Sequence, residues 1–130
     1  MEVHVKPVML KVDFVSDVSC PWCAIGLWSL EKALDRIGGE FAVDLHFQPF
    51  ELNPQMPPGG QAIEEHLMEK YGAAPEQSAR TREAIRSRGE AVGFEFRMDR
   101  RSRIYNTFDA HRLLHWAEGE GRQRELKRAL

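Results

Sequence analysis

An α/β fold that opens with a parallel βαβ unit and continues as a run of helices is predicted by three features of this sequence. Residues 11–16 are short, β-branched and aromatic. Residues 21–37 place apolar side chains at helical spacing, and residues 41–47 alternate apolar with polar. Beyond them strand signals become sparse and the apolar spacing is mostly helical.

The first segment, Lys-Val-Asp-Phe-Val-Ser, predicts a largely buried strand, and Asp17-Val18-Ser19 a turn. Ile25, Leu27, Trp28, Leu30, Leu34 and Ile37 then mark a helix that Gly38-Gly39 stops. In the second strand Phe41, Val43, Leu45 and Phe47 share one face, with Asp44 and His46 on the other. A crossover helix of this length between two strands predicts a right-handed βαβ unit with parallel strands. Residues 48–60 contain Pro49, Pro54, Pro57, Pro58 and two glycines, which reads as an irregular connection. Helices are predicted over 61–71, closed by Gly72, and over 75–92, closed by Gly93. A short extended piece is expected at 94–98, then helices over 107–118 and 122–130. Leu126, Ala129 and Leu130 form an apolar stripe with nothing after it, and two parallel strands are few for a stable sheet. The chain therefore reads as incomplete.

The composition, 130 residues with 42% hydrophobic, 29% charged and a net charge of −2, suits one globular unit and offers no general attraction to nucleic acid or anionic membrane. Arginines gather between Arg80 and Arg103, but Glu83, Glu90, Glu95 and Asp99 interrupt them, so a solvated helical face is expected. No apolar run approaches the ~20 residues of a membrane span. The first seven residues lack the basic start and apolar stretch of a secretory leader, and a cytoplasmic location is expected.

That placement bears on the two cysteines, Cys20 and Cys23, which only two residues separate. A disulfide closing so short a loop restrains the unfolded chain little, and cytosolic thiols are kept reduced. Redox chemistry or metal binding is the better reading of such a pair. Cys20 falls at or next to the N-cap of the first helix, and Pro21 suits the first helical position because its missing N–H has no partner there. Backbone N–H groups of Trp22 and Cys23 then point toward the Cys20 sulfur, aided by the helix dipole. Thiols so placed ionise in a lowered range of roughly 3.5–7.5. Cys20 is the expected nucleophile. Cys23, one turn further on the same face and about 5–6 Å away, is the expected resolving thiol. Pro21 and Trp22, inside the motif, are expected to tune the pair. No metal and no cofactor beyond the cysteines is expected.

Three stretches carry a family resemblance: residues 13–26, containing Asp17-Val18-Ser19-Cys20-Pro21-Trp22-Cys23; residues 49–54, Pro-Phe-Glu-Leu-Asn-Pro; and residues 106–113, Asn-Thr-Phe-Asp-Ala-His-Arg-Leu. Together they resemble the DsbA-like branch of the thioredoxin superfamily, specifically its FrnE-type cytosolic oxidoreductases. The resemblance implies a thioredoxin fold with a helical domain inserted after its first βαβ half, and a later ββα half carrying a cis-proline loop. Every proline here lies at or before Pro75, so that half is expected to be absent and the chain to be an N-terminal portion. The expected division is residues 1–56 as the βαβ half and 57–130 as an incomplete helical insert. The helix bearing the third stretch is expected near the active-site end, making Asn106, His111 and Arg112 candidates for support. The plainer alternative makes Asn106 an N-cap of an amphipathic helix whose core is Phe108, Leu114 and Trp116.

The expected function is thiol–disulfide exchange with protein or small-molecule thiols and disulfides, with no nucleic-acid or membrane partner. Three alternatives stand beside it. The branch of 2-hydroxychromene-2-carboxylate isomerase and kappa-class glutathione transferase, which uses glutathione, usually has serine in place of the first cysteine and lacks the second. A zinc site could join His111 and His115 to the cysteines, but the gap is too long for a finger loop. An inactive fragment would need a homodimer to cover its open edge and the stripe of Leu126 and Leu130. His46 and His66 have no partner by spacing, and solvated or capping roles suffice for them.

Overall fold

A computed structural model describes residues 6–130. The reading of the N-terminus as lacking a leader falls mainly on residues 1–5, outside the described residues. Strand β1 (Val8–Ser16) leads through the turn into helix α1 (Pro21–Ile37), a single 3-10 turn, and strand β2 (Phe41–Pro49). The helix has the predicted limits, because its signals are local. Proline occupies the start, and Gly38 turns the chain out at φ 67°, where a side chain would be strained. Strands β1 and β2 pair in parallel from Val8 opposite Phe41 to Ser16 opposite Pro49. Phe14 and Phe47 are partners in that register, and their rings meet edge to face at 5.9 Å.

The remainder is helical, with one correction. Gln61–Ala62 opens as strand β3, not helix, and pairs antiparallel with strand β4 (Arg103–Ile104). Helix α2 therefore begins at Ile63 and runs to Tyr71, and α3 follows over Pro75–Ala91. Residues 94–97 join no strand pairing. Phe94 packs edge-on against Trp28 of α1 at 4.7 Å, and Phe96 stacks on Phe94 at 4.5 Å. Their alternation reflects rings gathered on α1 and not a hydrogen-bonded ladder. Gly89 of α3 makes room for this cluster: a Cβ there would lie 2.5 Å from the Phe96 ring. Helices α4 (Phe108–Gly119) and α5 (Gln123–Ala129) complete the chain and pack on β2.

The core runs between these layers through Leu27, Phe47, Met56, Ile85, Ile104, Leu114 and Ala117. Three burial expectations are corrected. Strand β1 is exposed over most of its length, because β2 is its one strand neighbour among the described residues. Phe108 and Trp116 lie on the outer face of α4, 55% and 62% exposed, while Leu114 at 3% faces β2. His66 is buried beside Gln61, its Nδ1 3.1 Å from Gln61 Oε1. The edge of β2 is covered at one point by a side chain. The Phe47 N–H donates to Gln123 Oε1 at 3.0 Å, and Gln123 Nε2 donates to the Phe47 and Leu114 carbonyls at 3.1 and 3.2 Å. The Gln123 amide thus does for Phe47 what a neighbouring strand's peptide would do. Of the stripe read at the C-terminal end, Leu126 is half-buried, and Ala129 and Leu130 are exposed.

Candidate functional site

Cys20 is the N-cap of α1, with extended backbone angles (φ −95°, ψ 112°), and its sulfur accepts from the Cys23 N–H at 3.4 Å. Pro21 occupies the first turn, which contains no acidic residue. Both thiols are free and partly buried. The Cys23 thiol is pushed up to about 11, chiefly by burial, with the neighbouring Cys20 sulfur adding to the effect. Two influences oppose that shift, the Asp17 backbone N–H and the charge of Lys127. Trp22, between the sulfurs in sequence, turns outward and is 49% exposed.

The loop that presents Cys20 is pinned at Asp17, whose side chain is 1% exposed. Its carboxylate accepts from the Leu52 N–H at 2.8 Å, and its Oδ1 lies 3.2 Å from His111 Nε2 of α4. Burial opposes ionisation of this carboxyl, but the Leu52 N–H, the Thr107 side chain and His111 together hold it below its ordinary value. Asp17 thereby joins the loop before the dithiol, the proline-rich connection and α4.

Two cations reach the same place from distant parts of the chain. Lys127 of α5 donates from Nζ to Ser16 Oγ at 2.9 Å and sits over the Phe47 ring. Burial lowers its basicity, and negative charge at Cys23, Asp17 and Cys20 works against that. Arg101, between α3 and β4, donates from Nη2 to the Ser19 carbonyl at 2.8 Å. Its place is a correction, since the arginine run was expected to be a solvated face throughout. Two cavities open on Cys20. The larger, about 350 Å³, runs from Cys20 and Trp22 along apolar walls that include Leu67, Ile85 and Ile104, and no carboxylate lines it. The smaller, about 170 Å³, also holds Cys23 and Lys127.

Of the residues proposed as support, His111 is brought to within three residues of Cys20 through Asp17. Asn106 is not the N-cap of α4, which is Thr107, but its Oδ1 accepts from the Phe108 N–H at 2.9 Å. Its Nδ2 donates to the Met56 carbonyl at 2.9 Å, tying α4 to the proline-rich connection. Arg112 points to solvent and pairs with Asp109 one turn away. His46 pairs with Asp44 at 3.0 Å on the exposed face of β2. Among the described residues no group of three or more His, Cys, Asp or Glu side chains is assembled to hold a metal ion, so the set of Cys20, Cys23, His111 and His115 does not form. Among the same residues no helix is long and apolar enough to cross a membrane.

Sequence reasoning missed Asp17, Arg101 and Lys127. Asp17 lies inside the most recognisable motif but resembles any turn aspartate. The two cations have no local signal at all.

Comparison with known proteins places these features in a family. The sequence model of the DSBA-like thioredoxin domain matches residues 11–130. A crystal structure described as a probable DsbA oxidoreductase from Streptomyces coelicolor superposes with a TM-score of 0.82 at 35% identity. That match covers 92% of this chain and 51% of the other, so the chain spans about half the length of its structural relative. No curated protein sequence is a significant match.

Proposed function

The chain belongs to the family of DSBA-like thioredoxin domains, and from that premise we propose that it is a thiol–disulfide oxidoreductase in which Cys20 attacks and Cys23 resolves. One contact carries the reading: the Cys23 N–H directed at the Cys20 sulfur across the first turn of α1, at 3.4 Å. A sulfur held by an amide at a helix start is favoured as thiolate, the form that attacks disulfides.

The exchange runs in two displacements. The Cys20 thiolate attacks one sulfur of a substrate disulfide, forming a mixed disulfide and releasing the other sulfur as a thiolate. Cys20 then carries no charge, so the like-charge opposition to Cys23 ionising is gone. Lys127 and the Asp17 backbone N–H favour the Cys23 anion at that moment. Cys23 loses its proton to solvent or the departing thiolate and attacks the Cys20 sulfur. The bond between Cys20 and the substrate sulfur breaks, that sulfur leaves as the second thiolate, the Cys20–Cys23 disulfide forms, and two electrons have passed to the substrate. The reverse sequence oxidises a substrate dithiol.

The finer assignment follows the resemblance. The Cys-Pro-Trp-Cys motif is of FrnE type, and the partners are protein or small-molecule thiols in the cytoplasm. Residues 1–56 supply the dithiol and 57–130 the helical insert over it, with Asn106, His111 and Asp17 keeping the two in place. Disulfide reduction tests this reading: the wild-type chain, with dithiothreitol as electron source, accelerates reduction of insulin, and Cys20→Ser does not while melting as a folded protein. Full activity in Cys20→Ser overturns the assignment. Glutathione-dependent isomerisation of a chromene carboxylate without disulfide exchange transfers it to the related isomerase and transferase branch.

A further inference from the structure

The exchange chemistry leaves one half-buried cation beside the dithiol without a role. Three arginines of the same run are paired with carboxylates, Arg82 with Glu64, Arg86 with Glu83 and Glu90, and Arg97 with Asp99, and Arg103 binds the Gly59 and Gly60 carbonyls far from the cysteines. Arg101 instead spends its Nη2 on the carbonyl of Ser19, the residue immediately before Cys20 and 82 positions away in sequence. It lines both cavities that Cys20 lines. Burial pulls its guanidinium below the ordinary arginine value, and the charge on Cys20 opposes that. A peptide tether alone needs no desolvated charge, whereas a thiolate next to it makes use of one.

We infer that Arg101 is a positioning residue for disulfide exchange: it fixes the Ser19–Cys20 peptide and supplies a standing positive charge that favours Cys20 as thiolate, biasing the pair toward its reduced form. The inference rests on the reading of Cys20 as the nucleophile. The balance is direct. Reducing the Cys20–Cys23 disulfide breaks the S–S bond and takes up two electrons, here from two molecules of glutathione that become one glutathione disulfide, one of their thiol protons passing to Cys23 and the other to solvent. A cation beside Cys20 lets that sulfur keep its negative charge and stabilises the reduced side.

The test equilibrates wild type, Arg101→Met and Arg101→Lys, each as the full chain, with mixtures of reduced and oxidised glutathione, and reads the ultraviolet thiolate absorbance at neutral pH. Removing the charge should move the equilibrium toward the disulfide by about tenfold, the scale of one partly desolvated charge pair, and lower the thiolate signal. The lysine variant loses the planar fork on Ser19 but keeps the charge, and should stay within about threefold of wild type. A pure tether would instead lower the melting temperature of both variants and leave equilibrium and absorbance unmoved, which overturns the inference. If Arg101→Met does not fold, Arg101→Gln takes its place, with the same tenfold shift expected and an unmoved equilibrium overturning the inference, while a tenfold shift in the folded lysine variant refutes the charge role. A wild type unable to form its own disulfide with glutathione brings down both this inference and the proposed function. An exchanging wild type with an unmoved methionine variant brings down only the former.

Discussion

Replacing Asp17 is the perturbation that most directly separates the scaffold of the site from its chemistry. The carboxylate is 1% exposed, accepts from the Leu52 N–H at 2.8 Å and stands 3.2 Å from His111 Nε2. In Asp17→Ala the Leu52 N–H, the Thr107 side chain and His111 all lose their acceptor. Breaking a buried pair of this kind costs about 3–5 kcal/mol, a large share of the total stability of a small domain. Asp17→Asn keeps an acceptor for the Leu52 N–H and gives up only the charge, for an expected loss of about 1–2 kcal/mol. Urea denaturation followed by tryptophan fluorescence measures both. The pH dependence follows from the sign of the shift. The folded-state value lies below that of an unfolded carboxyl, about 3.9. The contribution of Asp17 is therefore complete above about pH 4 and is lost as pH falls through the depressed folded value. The stability gap between wild type and Asp17→Asn should thus be constant near neutrality and close in acid. A loss under 1 kcal/mol in Asp17→Ala, or a gap that widens in acid, refutes the reasoning.

Two further outcomes follow from the packing. Gln123→Ala strands the buried Phe47 N–H at the β2 edge and should cost about 2–4 kcal/mol by urea titration, far more than an exposed helix substitution. A cost within 0.5 kcal/mol would mean water takes over the edge. On α4, Leu114→Ala should cost about 2–5 kcal/mol and Trp116→Ala less than about 1, because only the leucine faces β2. Equal losses at the two positions would show that the outward tryptophan is packed.

What was legible in the sequence was what local chemistry determines. The start of α1 was readable because proline suits the first turn, and its end because Gly38 leaves the helix at positive φ. Strand β2 was readable from alternation, and the dithiol from its place between strand and helix. What needed partners far along the chain was not. Gln61–Ala62 forms a strand only because Arg103–Ile104 lies beside it, and Phe94 finds its place only because Trp28 lies beneath it, with Phe96 packed on Phe94 in turn. Phe108 and Trp116 share the helical spacing of core residues and still face outward, since spacing marks a stripe and not what covers it. Asp17, Arg101 and Lys127 are indistinguishable in sequence from surface charges until the fold carries them to the sulfurs.

Capture of a substrate disulfide by single-cysteine variants tests the division of labour between the two thiols most directly. Incubated with a disulfide peptide and mapped by mass spectrometry, Cys23→Ser should hold a stable adduct on Cys20. Cys20→Ser should hold little on Cys23, whose thiol is pushed up to about 11, and the wild type should release its adduct as the Cys20–Cys23 disulfide. Faster capture at Cys23 than at Cys20, or a wild-type adduct that never resolves, would contradict the account.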